Sequence, residues 1–153
     1  MPTLDDPDRR IIQELSRNGR ITTLELSEAV GLSPTPVARR VRRLGEAGVI
    51  RGYAALIDEA ELGFGVSVFV SVKLDKQVDD ALDAFETSIE KFPEVVDCWL
   101  MTGNRDYLLR IVTVDLQEFE RFLVGRLTKV RGVASIESSI PLRRVKSGLA
   151  RTA

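Results

Sequence analysis

Arg39, Arg40, Arg42, Arg43 and Arg51 lie close together in the chain and are faced by a single acid, Glu46. A guanidinium group stays charged at any physiological pH and presents a planar fork of donors. That fork matches a phosphate, or the O6/N7 edge of guanine, in bidentate fashion. Catalytic chemistry is sparse by comparison. The 153 residues include no His and one Cys, Cys98. Without His there is no Ser-His-Asp or Cys-His arrangement and no imidazole ligand, and one Cys makes neither an internal disulfide nor a cysteine zinc site. The expectation is therefore no catalytic residues, no metal and no cofactor.

The formal net charge of −1 suggests no polyanion partner, but its distribution does. Up to Ile57 there are nine Lys/Arg against seven Asp/Glu, and beyond it thirteen against sixteen. The basic charge is a patch rather than a property of the chain. Met1-Pro2-Thr3-Leu4-Asp5-Asp6 lacks the basic and apolar regions of a secretory signal, and no apolar run approaches the ~20 residues of a membrane span. With its single Cys, the chain is expected to be cytoplasmic, with no membrane partner.

Three helices should position the arginines. The first runs over 6–17, with Pro7 in its first turn, Ile11, Ile12 and Leu15 on one stripe, and Asn18-Gly19 as its stop. The second runs over 23–30 behind Thr22, with Glu25 at capping-box spacing. Gly31-Leu32-Ser33 makes a tight turn. Ser33 is expected to cap a third helix that opens on Pro34 and ends between Gly45 and Gly48. On this helix, at about 100° per residue, Val41 and Leu44 stay within ~40° of Val37, while Thr35, Arg39 and Arg42 fall opposite and Arg43 at their flank. Helix, Gly turn, helix is the supersecondary unit that lays its second helix in the major groove of double-stranded DNA. Thr35 and Arg39 are candidates for base edges; Arg40, Arg42, Arg43 and Arg51 for phosphates.

The rest of the chain alternates. A strand-like run over 49–57 precedes a polar, Gly-containing hinge over 58–65. Then come a strand over 66–74, a helix over 78–91, strands over 95–101 and 106–114 joined by a short turn, a helix over 116–129, and a last strand over 133–145 containing Pro141. This is βαββαβ order, the ferredoxin-like arrangement, so the expected class is α+β. The expected domains are 1–49 for DNA binding, 50–64 as linking strand and hinge, and 65–153 as the ferredoxin-like domain. Cys98 and Trp99 are neighbours on a strand and face opposite ways. Cys98 is expected to be a small buried residue, and the apolar sheet face to need covering by a partner subunit.

Gly31-Leu32-Ser33-Pro34-Thr35-Pro36-Val37, Arg39-Arg40-Val41-Arg42-Arg43-Leu44 and Gly48-Val49-Ile50, with Gly103-Asn104-Arg105-Asp106-Tyr107-Leu108-Leu109 further on, strongly resemble the Lrp/AsnC family of transcriptional regulators. The resemblance spans almost the whole chain. It implies a winged helix-turn-helix domain followed by a βαββαβ ligand-binding domain, and homodimers that often build octamers. It also implies a small effector, an amino acid or a relative of one, bound between ligand-binding domains, and it adds Ser33 and Pro36 to the DNA-contacting set. For the effector it implies Gly103, Asn104, Arg105, Asp106 and Tyr107 on the hairpin, Ser138, Ser139 and Ile140 on the last strand, and Leu116 and Val130 on the apolar side.

The residues themselves fit that division of labour. A hairpin glycine lets backbone N–H groups approach a carboxylate, and Asp106 could accept from an α-ammonium group, although a plain turn needs Gly and Asp too. Asn104 and Arg105 replace the acidic and large residues common in the family, which leaves Arg105 either at the pocket mouth or paired across an oligomer interface. Two other readings stand beside this one. Siroheme decarboxylases resemble the family along their length but use His residues, which this chain lacks. An architectural protein that wraps DNA with little specificity would share the basic helix.

Overall fold

The computed structural model describes residues 3–76, 79–146 and 151. Two compact units result, one built on the chain up to Leu56 with Val145 onward, the other on Ile57–Arg144.

The first unit holds α1 (Asp6–Arg17), α2 (Thr23–Val30) and α3 (Pro34–Glu46). Local chemistry sets their ends. The Asp5 carboxylate accepts from the Asp8 N–H (2.9 Å) and the Asp8 carboxylate from the Asp5 N–H (3.3 Å), a reciprocal cap on α1. Thr22 and Glu25 do the same for α2. Gly31 ends α2 in the left-handed region (φ 70°), where a Cβ would be strained, and the Leu32 N–H returns to the Ser27 carbonyl. Ser33 differs from expectation. It occupies the N-cap position of α3 but its side chain makes no cap bond. Pro36, at the third helical position, has no N–H to offer, which removes one of the two donors such a cap can use and leaves that of Thr35. Ile11, Leu26, Val30, Val37 and Leu44 are buried together, so the apolar stripe of α3 faces α1 and α2.

No strand forms over 49–57. Of the apolar residues there, Tyr53, Leu56 and Ile57 are exposed. A lone extended segment has no neighbouring ladder to satisfy its amides, and alternation of residue types does not supply one.

The second unit holds β1 (Val66–Leu74), α4 (Asp79–Ile89), β2 (Val95–Leu100), β3 (Tyr107–Thr113), α5 (Leu116–Gly125) and β4 (Val133–Ser139). The sheet order is β2-β3-β1-β4, with every neighbouring pair antiparallel. This is the ferredoxin-like topology. Val78, expected to open the first of these helices, lies outside the described residues. Val68, Val70, Val72, Leu109 and Ile111 point to one face, where Phe85, Ile89, Phe119 and Phe122 of the helices close the core. The opposite face carries Phe69, Ser71, Trp99, Leu108 and Arg110. Arg110 is bound there by both oxygens of Glu59 (2.9 Å each) and by Asp97 (3.0 Å).

Two elements fall short of their expected ends by four residues or more. The helix over 116–129 breaks at Arg126, whose backbone leaves helical geometry before a 3-10 turn at Leu127–Lys129. Its guanidinium lies 4.5 Å from the centroid of the Phe92 ring and 2.5 Å from Glu94, while Leu127 turns fully into the core. Tertiary contacts outweigh helical periodicity here. The last strand stops at Ser139, because Pro141 cannot donate to the ladder. Cys98 is exposed rather than buried, since β2 is an edge strand and the groove beside it, lined by Glu86, Glu90 and Leu100, stays open. Partial burial still lifts its thiol to about 11, which disfavours a reactive thiolate.

Candidate functional site

The outward side of α3 is laid out as its periodicity requires. Thr35, Arg39, Arg42 and Arg43 are exposed, and so are Ser33 and, beyond the helix, Arg51. Among the described residues no acid pairs with Arg39 or Arg51. Arg42 meets Glu46 only loosely, at 3.8 Å, with both side chains 71% exposed. Such a pair contributes little and yields readily to a phosphate. Pro36, half-buried at the start of α3, shapes the helix entry through its ring rather than by any polar contact.

Arg40 does not fit its expected role. Its Nη1 lies 2.8 Å from both carboxylate oxygens of Asp5 and 2.8 Å from Asp8 Oδ1. Arg43 pairs with the other oxygen of Asp8. The helical wheel puts Arg40 at the boundary between the faces, where the acidic N-terminus of α1 captures it. This network joins residues over thirty positions apart, so no local pattern announces it. Its one legible part is the Asp5/Asp8 spacing.

The Asp8 N–H and then the Arg40 guanidinium hold the Asp5 carboxyl below the ordinary carboxylate range. Arg110 does the same to Glu59 in the other unit. A folded-state pKa below the unfolded value gives stability that is complete above the unfolded pKa and is lost as pH falls through the folded one. The urea midpoints of both units are therefore expected to hold near neutrality and to drop below about pH 4. Midpoints unchanged down to about pH 3 would contradict these assignments.

The residues expected to bind an effector separate in the structure. Gly103 (φ 106°) and Asn104 form the exposed tip of the β2–β3 hairpin, and only glycine suits that backbone at 103. Arg105 reaches across the sheet to pair with Glu137 of β4, a partner within the chain. Asp106 is buried and its Oδ2 accepts from the Leu74 N–H (2.7 Å), so this carboxylate ties the hairpin to β1. Tyr107 is 1% exposed and its hydroxyl donates to Glu86 (2.6 Å); burial pushes the phenol well above its usual range. Tyr107 and buried Val130 belong to the core, and Tyr107 also borders the open groove beside β2.

Ser138 and Ser139 point to opposite faces of β4, through their pairing with Val70 and Phe69. Ser138 opens on a groove of about 380 Å³ with Leu123, Thr128 and Ile136. Leu116 and Ile140 are exposed at the Val66 end of the sheet, whereas Gly103–Arg105 lie at the Leu74 end. The intervening length of β3 is about 20 Å. One copy of the chain does not bring these two groups together.

Comparison with known proteins adds the context. The winged helix-turn-helix DNA-binding family matches residues 4–51, and the Lrp/AsnC ligand binding domain matches residues 67–150. The chain belongs to the Lrp/AsnC family. This Lrp/AsnC protein is 46% identical over 145 residues to the Bkd operon transcriptional regulator of Pseudomonas aeruginosa, covering 95% of each. It is 38% identical to the leucine-responsive regulatory protein of Escherichia coli K12, over 94% of this chain and 87% of that one. Among solved structures, a transcriptional regulator from Neisseria meningitidis in complex with L-Met superposes with a TM-score of 0.90 at 40% identity, covering 95% of this chain and 94% of that one. The Lrp/AsnC protein is thus a DNA-binding transcriptional regulator with a ligand-binding domain, and its family consists of regulators rather than enzymes. Among the described residues no helix is long and apolar enough to cross a membrane.

Proposed function

We propose that this regulator binds a two-fold-symmetric duplex as a dimer in the cytoplasm, with α3 of each copy in the major groove. The observation that carries this is Arg39 of α3, exposed and with no acid beside it among the described residues, on the side of the helix away from the buried Val37–Leu44 stripe. Thr35 and Arg39 read base edges; Arg42, Arg43, Arg51 and the uncommitted hydroxyl of Ser33 contact phosphates. Arg40 holds α3 against α1 instead. Pairing a duplex selected from a random pool against scrambled DNA, at rising salt, tests the reading. A steep fall with salt and a clear preference for the selected duplex support it. Equal affinity for both duplexes at physiological salt would leave the architectural reading in its place.

The effector is an amino acid, as the Neisseria relative's L-Met complex suggests. Its site is formed between copies: the Gly103–Arg105 tip of one chain supplies backbone N–H groups for the carboxylate, and the Leu116 and Ile140 end of another supplies apolar surface. Further assembly, up to an octamer, follows from repeating this contact. The apolar sheet face with Trp99 and Leu108 supplies the dimer interface. A thermal-shift screen of the twenty amino acids should give a rise of several degrees with at least one, by mass action. The rise should vanish in Gly103→Val, where the φ of 106° excludes a β-branched residue. No shift with any amino acid would count against this site.

A further inference from the structure

We propose that Asp8 is a positioning residue for DNA binding. Its buried carboxylate orders the Arg43 guanidinium on the flank of α3, so that the donors Asp8 does not use meet a backbone phosphate.

Asp8 is fully buried, yet both of its oxygens are used: Oδ1 by Arg40, Oδ2 by Arg43 and the Asp5 N–H. A single arginine would be enough to neutralise it. Arg40 lies 2.8 Å from Asp8 but shares its single charge with Asp5, and its side chain is only 23% exposed, so Arg43 supplies the second charge of the cluster. Arg43 is different. It engages Asp8 through Nη2 alone, and its side chain stays 55% exposed. A guanidinium has five donor hydrogens, so Nη1 and Nε keep theirs for another acceptor. On the helix Arg43 follows Arg39 by four residues, which places it one turn along the same outward face. An acceptor beside a helix lying in the major groove is a phosphate of the strand that walls the groove.

A free arginine surrenders rotamer freedom when it meets a phosphate, and one already held by Asp8 surrenders less. The pairing thus lowers the ordering cost of the DNA contact. Asp8 also carries a negative charge, which by itself would repel the DNA. The two effects have opposite signs, so experiment can separate them.

The proposal rests on α3 lying in the groove, and Arg39→Ala tests that separately. The probe is the duplex selected by the wild-type protein, in the dimer as purified. Asp8→Asn keeps the shape and one acceptor oxygen but releases the charge-assisted hold. With folding confirmed by circular dichroism, affinity is expected to fall about three- to tenfold. In an Arg43→Ala background the same change should bring no further loss, because Asp8 acts through Arg43 and what remains is the removal of a charge that repels the DNA. Affinity equal to or above the wild type, or losses that add in the double variant, would overturn the proposal. Should Asp8→Asn fail to fold, Arg43→Lys decides. Lysine keeps the charge but carries it on a flexible stem without the planar fork that Asp8 orders, so its affinity should fall below that of the wild type. Wild-type affinity in Arg43→Lys would overturn the proposal. Loss of preference in Arg39→Ala with none in Asp8→Asn would reject Asp8 and retain the groove reading.

Discussion

Leu44→Ala is expected to melt the DNA-binding unit and leave the sheet unit folded. Leu44 is 1% exposed, at the meeting point of α1, α2 and α3, and its carbonyl accepts from the N–H groups of both Val49 and Ile50. Truncating a buried leucine to alanine costs about 2–5 kcal/mol, through lost transfer energy and the cavity left behind. A unit of this size holds only about 3–8 kcal/mol of net stability. Its melting temperature should therefore fall by more than about 10 °C. The cores are separate clusters, one around Ile11 and Leu44, the other around Val70 and Leu109. The single tryptophan, Trp99, belongs to the second unit and reports on it alone. Far-UV circular dichroism should show an early helical transition in the variant, with Trp99 fluorescence melting where it does in the wild type. DNA binding should be lost before effector response. If both signals moved together to lower temperature, the two units would be one cooperative body and the expectation would fail.

The second large effect is expected from Arg39→Ala. Arg39 sits on the outward face of α3, exposed, with no acid beside it among the described residues. It is therefore the arginine of the helix with the fewest competing bonds. A bidentate contact to a base edge is worth about 1–3 kcal/mol of discrimination, so affinity for the selected duplex should fall by about fivefold to 150-fold. Preference at one base pair per half-site should relax, while binding to scrambled DNA changes much less. Arg43→Ala should instead weaken all duplexes alike and reduce the salt slope by about one. Unchanged base preference in Arg39→Ala would move the reading head elsewhere on α3.

Signals confined to a few residues were readable in the chain. The ends of α1 and α2 fall where Pro7, Asn18, Thr22, Glu25 and Gly31 place them, because caps and stops act within one turn. The βαββαβ order follows from hydrophobic period and turn residues in the same way. What escaped needed a distant partner. The run over 49–57 has a strand's alternation but no neighbour to pair with. Arg126 leaves its helix for Phe92 and Glu94, which lie over thirty residues earlier. In the candidate DNA surface, Thr35, Arg39 and Arg42 follow from the wheel, while the capture of Arg40 by Asp5 and Asp8 does not. In the effector set, the glycine at 103 is legible from its turn. The burial of Asp106 and Tyr107 is not, since the same residues suit an exposed hairpin or one pinned to β1 and α4.

If the effector binds between copies as proposed, the distance between the hairpin tip and the Leu116 end makes the abundance of the regulator part of its signal. When a ligand binds only where two copies meet, its apparent affinity rises with the protein's own concentration, and the ligand in turn strengthens assembly by the same factor. A chain of this design measures a product of two quantities, effector level and copy number. A change in its own expression would retune the threshold at which it responds, without any change in the residues that touch the effector.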